Sequence, residues 1–198
     1  MVGFMHSYTR TYMNFPILIV DNLISKEDCI FLLDGISECK FQQYNNAESY
    51  RPEDDDDMFN GNVSKYNKFK DIILGLSSFV EKHYAVRVLN IYGNVFMKYE
   101  DTQNIRLHKD YDIDDPYQAA KEPFNISSVF YLNDDYEGGK LIFPNQSDKP
   151  ITERENRVEF IPKQGSVIFF DSTTPHYTDL IANGTKYVLT NFYEVLDN

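Results

Sequence analysis

From Val86 onward the chain reads as short apolar runs broken by polar turns, the rhythm of a β-sandwich or barrel. The sharpest run is Gly165-Ser166-Val167-Ile168-Phe169-Phe170-Asp171, followed at once by the turn chemistry of Ser172-Thr173-Thr174-Pro175. Lys186 to Tyr193 alternates instead. Lys186, Val188, Thr190 and Phe192 share one face, and Tyr187, Leu189, Asn191 and Tyr193 share the other. Strands of this kind must stack or close on one another to bury their apolar faces.

Ahead of Val86 the pattern is different. Pro16 to Val20 reads as a short strand, and Ser25 is placed to cap a helix whose first turn holds Glu27 and Asp28. Cys29, Leu32, Leu33 and Ile36 follow at helical spacing. A second amphipathic helix is carried by Phe69, Ile72, Ile73, Leu76, Phe79 and Val80, with Ser64 as its candidate N-cap. Both helices are expected to buttress one face of a sheet. Gln42 to Asn62, polar and containing Asp54-Asp55-Asp56-Asp57, reads as a solvated loop, with a lid over a binding site as the alternative. Asp112 to Pro123 is a second candidate rim, and Asn145 to Arg157 an excursion between strands. No repeat or linker divides the chain. One domain is expected over 1–198, with 1–94 supporting a β core over 95–198.

His108-x-Asp110 is the chemically pointed motif. With four histidines and 31 acidic residues in 198, about 0.6 such matches arise by chance, so the tripeptide alone is uninformative. Its setting adds weight. In a strand His108 and Asp110 share a face, with Ile105 and Leu107 packing behind. His176 stands just past the turn that ends the apolar strand. Two imidazoles and a carboxylate are the ligand set of the facial triad that holds non-haem Fe(II) and leaves coordination positions open. Two unrelated surface histidines account for the same residues equally well. Lys186, if inward, carries a large desolvation cost unless an anion such as a dicarboxylate meets it. It can also simply open an edge strand after Asn183-Gly184, with its ammonium in water.

Further stretches fall in order around these residues. They are Met97-Lys98-Tyr99, Ser128-Val129-Phe130-Tyr131-Leu132-Asn133, Tyr136-Glu137-Gly138-Gly139-Lys140-Leu141-Ile142-Phe143-Pro144, Pro162-Lys163-Gln164-Gly165-Ser166, Pro175-His176 and Gly184-Thr185-Lys186-Tyr187. In them the C-terminal half resembles the prolyl 4-hydroxylase branch of the Fe(II)/2-oxoglutarate dioxygenases, over roughly residues 95 to 193. A weaker echo runs from Phe15 to Asp21 and on through Ser25 to Cys29.

The resemblance implies a mainly β fold with supporting helices, its core a double-stranded β-helix or jelly roll. It implies that His108, Asp110 and His176 bind Fe(II), and that Lys186 pairs with the distal carboxylate of 2-oxoglutarate. Tyr131 would hydrogen-bond that carboxylate, and Tyr99 would line the co-substrate pocket. The reaction implied consumes O2 and 2-oxoglutarate, releases succinate and CO2, and hydroxylates a C–H bond, with ascorbate in a supporting role. A prolyl residue in a protein or peptide is the substrate implied. Because Asp110 fills the position that binds halide in related halogenases, hydroxylation rather than halogenation is expected. The family often has glycine after the strand tyrosine, whereas this chain reads Tyr99-Glu100-Asp101-Thr102. Two other readings are open: hydroxylation of a free amino acid or other small molecule, and a non-catalytic metal-binding scaffold of the same fold.

Composition narrows the partners. A net charge of −12 repels phosphate backbones, and no Lys/Arg-rich stretch offsets it, so nucleic acid is not expected. Related nucleic-acid demethylases carry arginines after the second histidine, where this chain has none. A basic or neutral peptide fits the overall charge better. No run is long and apolar enough to span a membrane, and Met1 to Met13 lacks the pattern of a secretory signal. Cys29 and Cys39, the two cysteines, lie about ten residues apart in one expected helical region, too far to bridge within it. Reduced thiols and a cytoplasmic location are the expectation.

Overall fold

Three sheets, two helices and the turns between them make up the described part of the chain. The computed structural model describes residues 15–52, 58–112, 125–144 and 157–197. The larger sheet contains β1 (Leu18–Val20), β10 (Val167–Asp171), β6 (Ile126–Tyr131), β13 (Lys186–Asp197), β4 (Val86–Tyr99), β3 (Ala47–Tyr50) and β2 (Gln42–Tyr44), in that spatial order. The smaller runs β5 (Ile105–His108), β11 (His176–Thr178), β8 (Leu141–Phe143) and β9 (Val158–Phe160). A two-stranded ribbon pairs β12 (Ile181–Asn183) with β7 (Glu137–Gly138). Every pairing is antiparallel, and sequence neighbours are often not spatial neighbours, as a jelly roll requires.

Each helix begins where the side-chain chemistry allows. Ser25 caps α1 (Lys26–Ile36), its hydroxyl accepting from the Asp28 N–H at 3.0 Å. The second helix, α2 (Val63–Tyr84), is capped by Asn62 rather than Ser64; the Asn62 side chain accepts from the Lys65 N–H at 3.1 Å. Asn60 and Gly61 take left-handed φ of 50° and 73° and turn the chain in just ahead of it, leaving Ser64 inside the first turn. Phe69, Ile73, Leu76 and Val80 of α2 and Cys29, Leu32 and Ile36 of α1 are buried in the core that both helices share with the larger sheet. A second core fills the space between the sheets, with Val95, Met97, Ile168, Phe170 and Val188 among its members.

Several expectations need correction. Gln42–Asn62 is not simply a loop: its first part is the β2–β3 hairpin, turned through Asn45 at φ 54°, and β3 adds to β4. Its polarity follows from its place at the sheet edge, where all three β2 residues are exposed and only Ala47 and Tyr50 of β3 are buried. Val86 begins not a short strand but a 14-residue one. Cys39 lies beyond the end of α1, and both cysteines are free. Asp54–Asp57, residues 113–123 of the second rim and 145–156 of the excursion lie outside the described residues.

Helix α2 ends on Ala85, held in the left-handed region at φ 55° with its N–H donating to the Glu81 carbonyl. An exposed alanine there bears a steric cost that glycine avoids. Ala85→Gly is expected to stabilise the protein by about 0.5–1 kcal/mol, read as a higher urea midpoint at unchanged m-value. A lower midpoint would contradict the cap geometry.

Candidate metal centre

Pairing of β5 with β11 sets His108 directly opposite His176. The sequence reading placed Asp110 on the same strand face, but β5 ends at His108 and Asp110 sits in the bend after it. That bend is tied down by the Tyr111 N–H donating to the Ser172 carbonyl at 2.9 Å. Ile105 is buried behind the motif as expected, whereas Leu107 is 48% exposed. One ligand-type atom from each of His108, Asp110 and His176 lies within 4.8 Å of the others. Asp110 Oδ1 is 3.3 Å from His108 Nε2 and 3.7 Å from His176 Nε2.

Both rings are oriented alike. His108 Nδ1 lies 2.9 Å from the Arg106 carbonyl, and His176 Nδ1 lies 2.9 Å from the Thr174 carbonyl. A carbonyl only accepts, so Nδ1 carries the proton and the Nε2 lone pairs turn toward Asp110. The Phe170 ring, edge-on at 4.7 Å, and the Phe143 ring at 5.9 Å wall in the His176 imidazole. Burial works against charge on His108, but the Asp110 carboxylate outweighs it and raises the ring's pKa. Deeper burial lowers that of His176 despite the same carboxylate. For Asp110 burial pushes upward, yet the two imidazoles prevail and hold it below the usual carboxylate range. Two lone pairs and an anion converging on one point form a donor set suited to a divalent cation.

Lys186 faces the same space, on the inward side of β13 together with Val188, Thr190 and Phe192, as the alternation predicted. It does not begin a solvated edge: the side chain is 1% exposed and β13 is central. Its ammonium donates to the Gly139 carbonyl at 2.8 Å and lies over the rings of Tyr99 and Tyr131 at 4.9 and 5.2 Å. Among the described residues no carboxylate pairs with it, and burial brings its pKa down to about 7. Gly139 permits this approach; a Cβ there would sit 3.2 Å from Lys186 Cδ and 2.4 Å from Ile181 Cδ1. The hydroxyls of Tyr131 and Tyr136 are buried without a hydrogen-bond partner. Tyr99, by contrast, hydrogen-bonds the Thr178 side chain. A buried ammonium with no counter-anion and two orphaned hydroxyls near it are the elements of a carboxylate site. The residues present therefore suit both a divalent metal and a dicarboxylate.

A cavity of about 90 Å³ joins the two halves, lined by His108, Asp110 and His176, by Tyr99 and Lys186, and by apolar walls including Val95, Met97, Val129 and Leu141. Three residues near it were missed from the sequence. Tyr136 stands two residues before the Gly138-Gly139 pair, which signals close backbone approach and so pointed near it. Tyr44 and Arg51, which line the cavity from the β2–β3 hairpin, lie in a polar stretch that offered no signal. The turn after Tyr99 lacks the usual glycine because Thr102 itself takes φ 68°, and the Gln103 N–H closes on the Glu100 carbonyl at 2.9 Å.

A family model described as the 2OG-Fe(II) oxygenase superfamily matches residues 95–194. No curated protein matches the chain in sequence. Among solved structures, a Pseudomonas putida prolyl 4-hydroxylase is 15% identical with a TM-score of 0.65, over 90% of this chain and 91% of that one. The viral collagen prolyl hydroxylase of Paramecium bursaria chlorella virus-1, solved with 2-oxoglutarate, is 18% identical with a TM-score of 0.66, over 89% and 94%. A prolyl hydroxylase of Trichoplax adhaerens, in complex with a hypoxia-inducible-factor peptide, is 15% identical with a TM-score of 0.61, over 89% and 82%. These neighbours share the double-stranded β-helix core.

Gly139→Ala tests how tightly the lysine cradle is built. The left-handed φ of 62° and the contact with Ile181 should together cost about 2–4 kcal/mol of stability, measured by urea denaturation. A cost under about 0.5 kcal/mol would mean that the cradle has room to spare.

Proposed function

The chain belongs to the 2OG-Fe(II) oxygenase superfamily, whose members use Fe(II), 2-oxoglutarate and O2, and from that premise we propose that it hydroxylates a prolyl residue in a protein or peptide. In this reading His108 and His176 hold Fe(II) through Nε2 and Asp110 holds it through its carboxylate. Lys186 and Tyr131 receive the distal carboxylate of 2-oxoglutarate, with the Tyr136 hydroxyl beside them and Tyr99 forming the wall. The chemistry supplied by the bound group is the coupled conversion of 2-oxoglutarate and O2 to succinate, CO2 and a hydroxylated carbon. The protein's own part is placement and exclusion of water. The carbonyls of Arg106 and Thr174 keep both imidazoles in the ligating tautomer. The apolar walls of the cavity shield the reacting carbon from solvent.

The observation that carries the proposal is Lys186, buried without a carboxylate partner among the described residues and sharing one cavity with the His-Asp-His cluster. A scaffold has no use for that arrangement. The prolyl substrate is favoured by the neighbours: one is a collagen prolyl hydroxylase, and another was solved with a peptide fragment bound. A reducing compartment such as the cytoplasm belongs to the same proposal and agrees with two free cysteines. Among the described residues no helix is long and apolar enough to cross a membrane.

Two measurements test this reading. In anaerobic titration with Fe(II) and 2-oxoglutarate, the charge-transfer band of the chelated keto acid should form in wild type and vanish in His176→Ala. A wild type that gives no band with both in excess would sink the dioxygenase assignment. A peptide-library screen for proline gaining one oxygen atom then tests the substrate; oxygen gained only by free amino acids would replace the prolyl reading.

The lysine adds a pH signature. Its pKa of about 7 without co-substrate leaves it mostly neutral at pH 8, whereas an arriving carboxylate favours the ammonium. Binding of 2-oxoglutarate at pH 8 should therefore take up about 0.9 proton, read by calorimetry in buffers of different ionisation enthalpy. Affinity should be level below pH 7 and fall about tenfold per unit above it. Lys186→Met should abolish the uptake and weaken binding by at least about 100-fold. Unchanged proton uptake in that variant would remove Lys186 from the role.

A further inference from the structure

Arg51 stands at a junction. It follows the last residue of β3, is exposed, and lines the cavity that holds His108, Asp110 and Lys186. Together with Tyr44 it also lines a surface groove of about 690 Å³ that runs past Glu38, Lys40 and Asn60. Among the described residues Tyr44 and Arg51 are the two common to both spaces. This pair stands where groove and cavity adjoin.

Among the described residues the charges at this mouth run opposite to those of the whole chain. Against a net charge of −12, the groove and cavity mouth carry Arg51 and Lys40 against Glu38. Among the described residues the one carboxylate lining the cavity is Asp110, already shared by two imidazoles. Among the described residues no ion pair engages Arg51. Its guanidinium is a planar fork of donors with no acceptor, shaped for a carboxylate. The other cation, Lys186, is fully buried, so the two sit at different depths and suit two different anions.

We propose that Arg51, flanked by Tyr44, binds a carboxylate that the substrate carries close to the carbon to be hydroxylated. The proposal rests on the reading of the cavity as the oxidation site and adds the charge of what enters it. The volume of the groove, about 690 Å³, favours an acidic side chain neighbouring the target residue of a peptide. The α-carboxylate of a free amino acid offers the same chemistry.

The test uses full-length protein loaded anaerobically with Fe(II) and 2-oxoglutarate, and reads binding by calorimetry rather than turnover. The probes are end-blocked proline peptides flanked by Asp, Asn or Lys, together with L-proline and prolinamide. Wild type should bind the Asp peptide about tenfold more tightly than its Asn twin, and the Lys peptide more weakly than either. Arg51→Ala should erase the order, Arg51→Glu should reverse it, and Arg51→Lys should keep most of it. If L-proline beats prolinamide while the peptides show no order, and Arg51→Ala removes that difference, the carboxylate is that of an amino acid and the Arg51 role stands. If no acidic probe binds more tightly than its neutral twin, or if Arg51→Ala keeps the order, the role is overturned whether or not the charge-transfer band forms. Loss of that band in wild type, by contrast, strikes the dioxygenase reading alone.

Discussion

The register of β13 is the constraint on which the site depends. This strand lies between β6 and β4, so its pleat decides what faces the cavity and what faces the helices. Lys186 and Val188 face inward, while Leu189 and Tyr193 are fully buried in the core shared with α1 and α2. A slip of one residue would exchange the two sets, putting the ammonium in the apolar core beneath the helices and an apolar residue in its place on the cavity wall. The register is pinned at its start by Asn133, whose side chain accepts from the Tyr187 N–H at 2.8 Å and donates to the Thr185 carbonyl at 2.7 Å. It is absorbed further along by an irregularity opposite Gly93 and Asn94, both at positive φ.

The metal cluster belongs to the other sheet, and a polar seam joins the two. Ser127 on β6 is 1% exposed; its hydroxyl lies 2.8 Å from that of Ser172 and, by donating to Asp110, supports the charged form of that carboxylate. Ser172 in turn accepts the Tyr111 N–H that holds the Asp110 bend. The carboxylate is thus positioned from the larger sheet, while the imidazoles are positioned by the β5–β11 pair of the smaller one. Few buried polar groups are left over for any other purpose, which is why the orphaned hydroxyls of Tyr131 and Tyr136 stand out.

How far all this could be read from the sequence varied with how strongly burial marks a residue. The β10 run and the β13 alternation were legible because both strands are central and their patterns are set by the two cores. Ser25 was legible because a cap is local chemistry. The β2–β3 hairpin was not, since an edge strand with no buried residue has no pattern to show. Nor was the choice of Asn62 over Ser64, because both are competent caps and the turn of Asn60 and Gly61 decides between them. Asp110 lay off the strand because β11 pairs β5 only as far as His108. The triad was found by motif, Lys186 by motif and alternation together. Arg51 reaches the site only through the fold.

Charge balance draws these parts together. In the proposed site a divalent metal and the Lys186 ammonium, set against the Asp110 carboxylate and a dianionic co-substrate, would sum to neutrality, which suits a low-dielectric cavity. Removing the co-substrate leaves the ammonium unbalanced, and burial then pulls its pKa to about 7 so that it sheds its proton cheaply. Without an anion the lysine can therefore give up its proton near pH 7, which lowers the cost of keeping it inside the fold. Tyr99 and Tyr131 soften what remains by presenting their ring faces to the ammonium. With that interior neutral, Arg51 at the rim has no ion-pair partner among the described residues and faces the groove along which a substrate would approach. In the proposed arrangement a neutral interior with Arg51 at its mouth would select by the charge of the newcomer without disturbing the charges that hold the co-substrate.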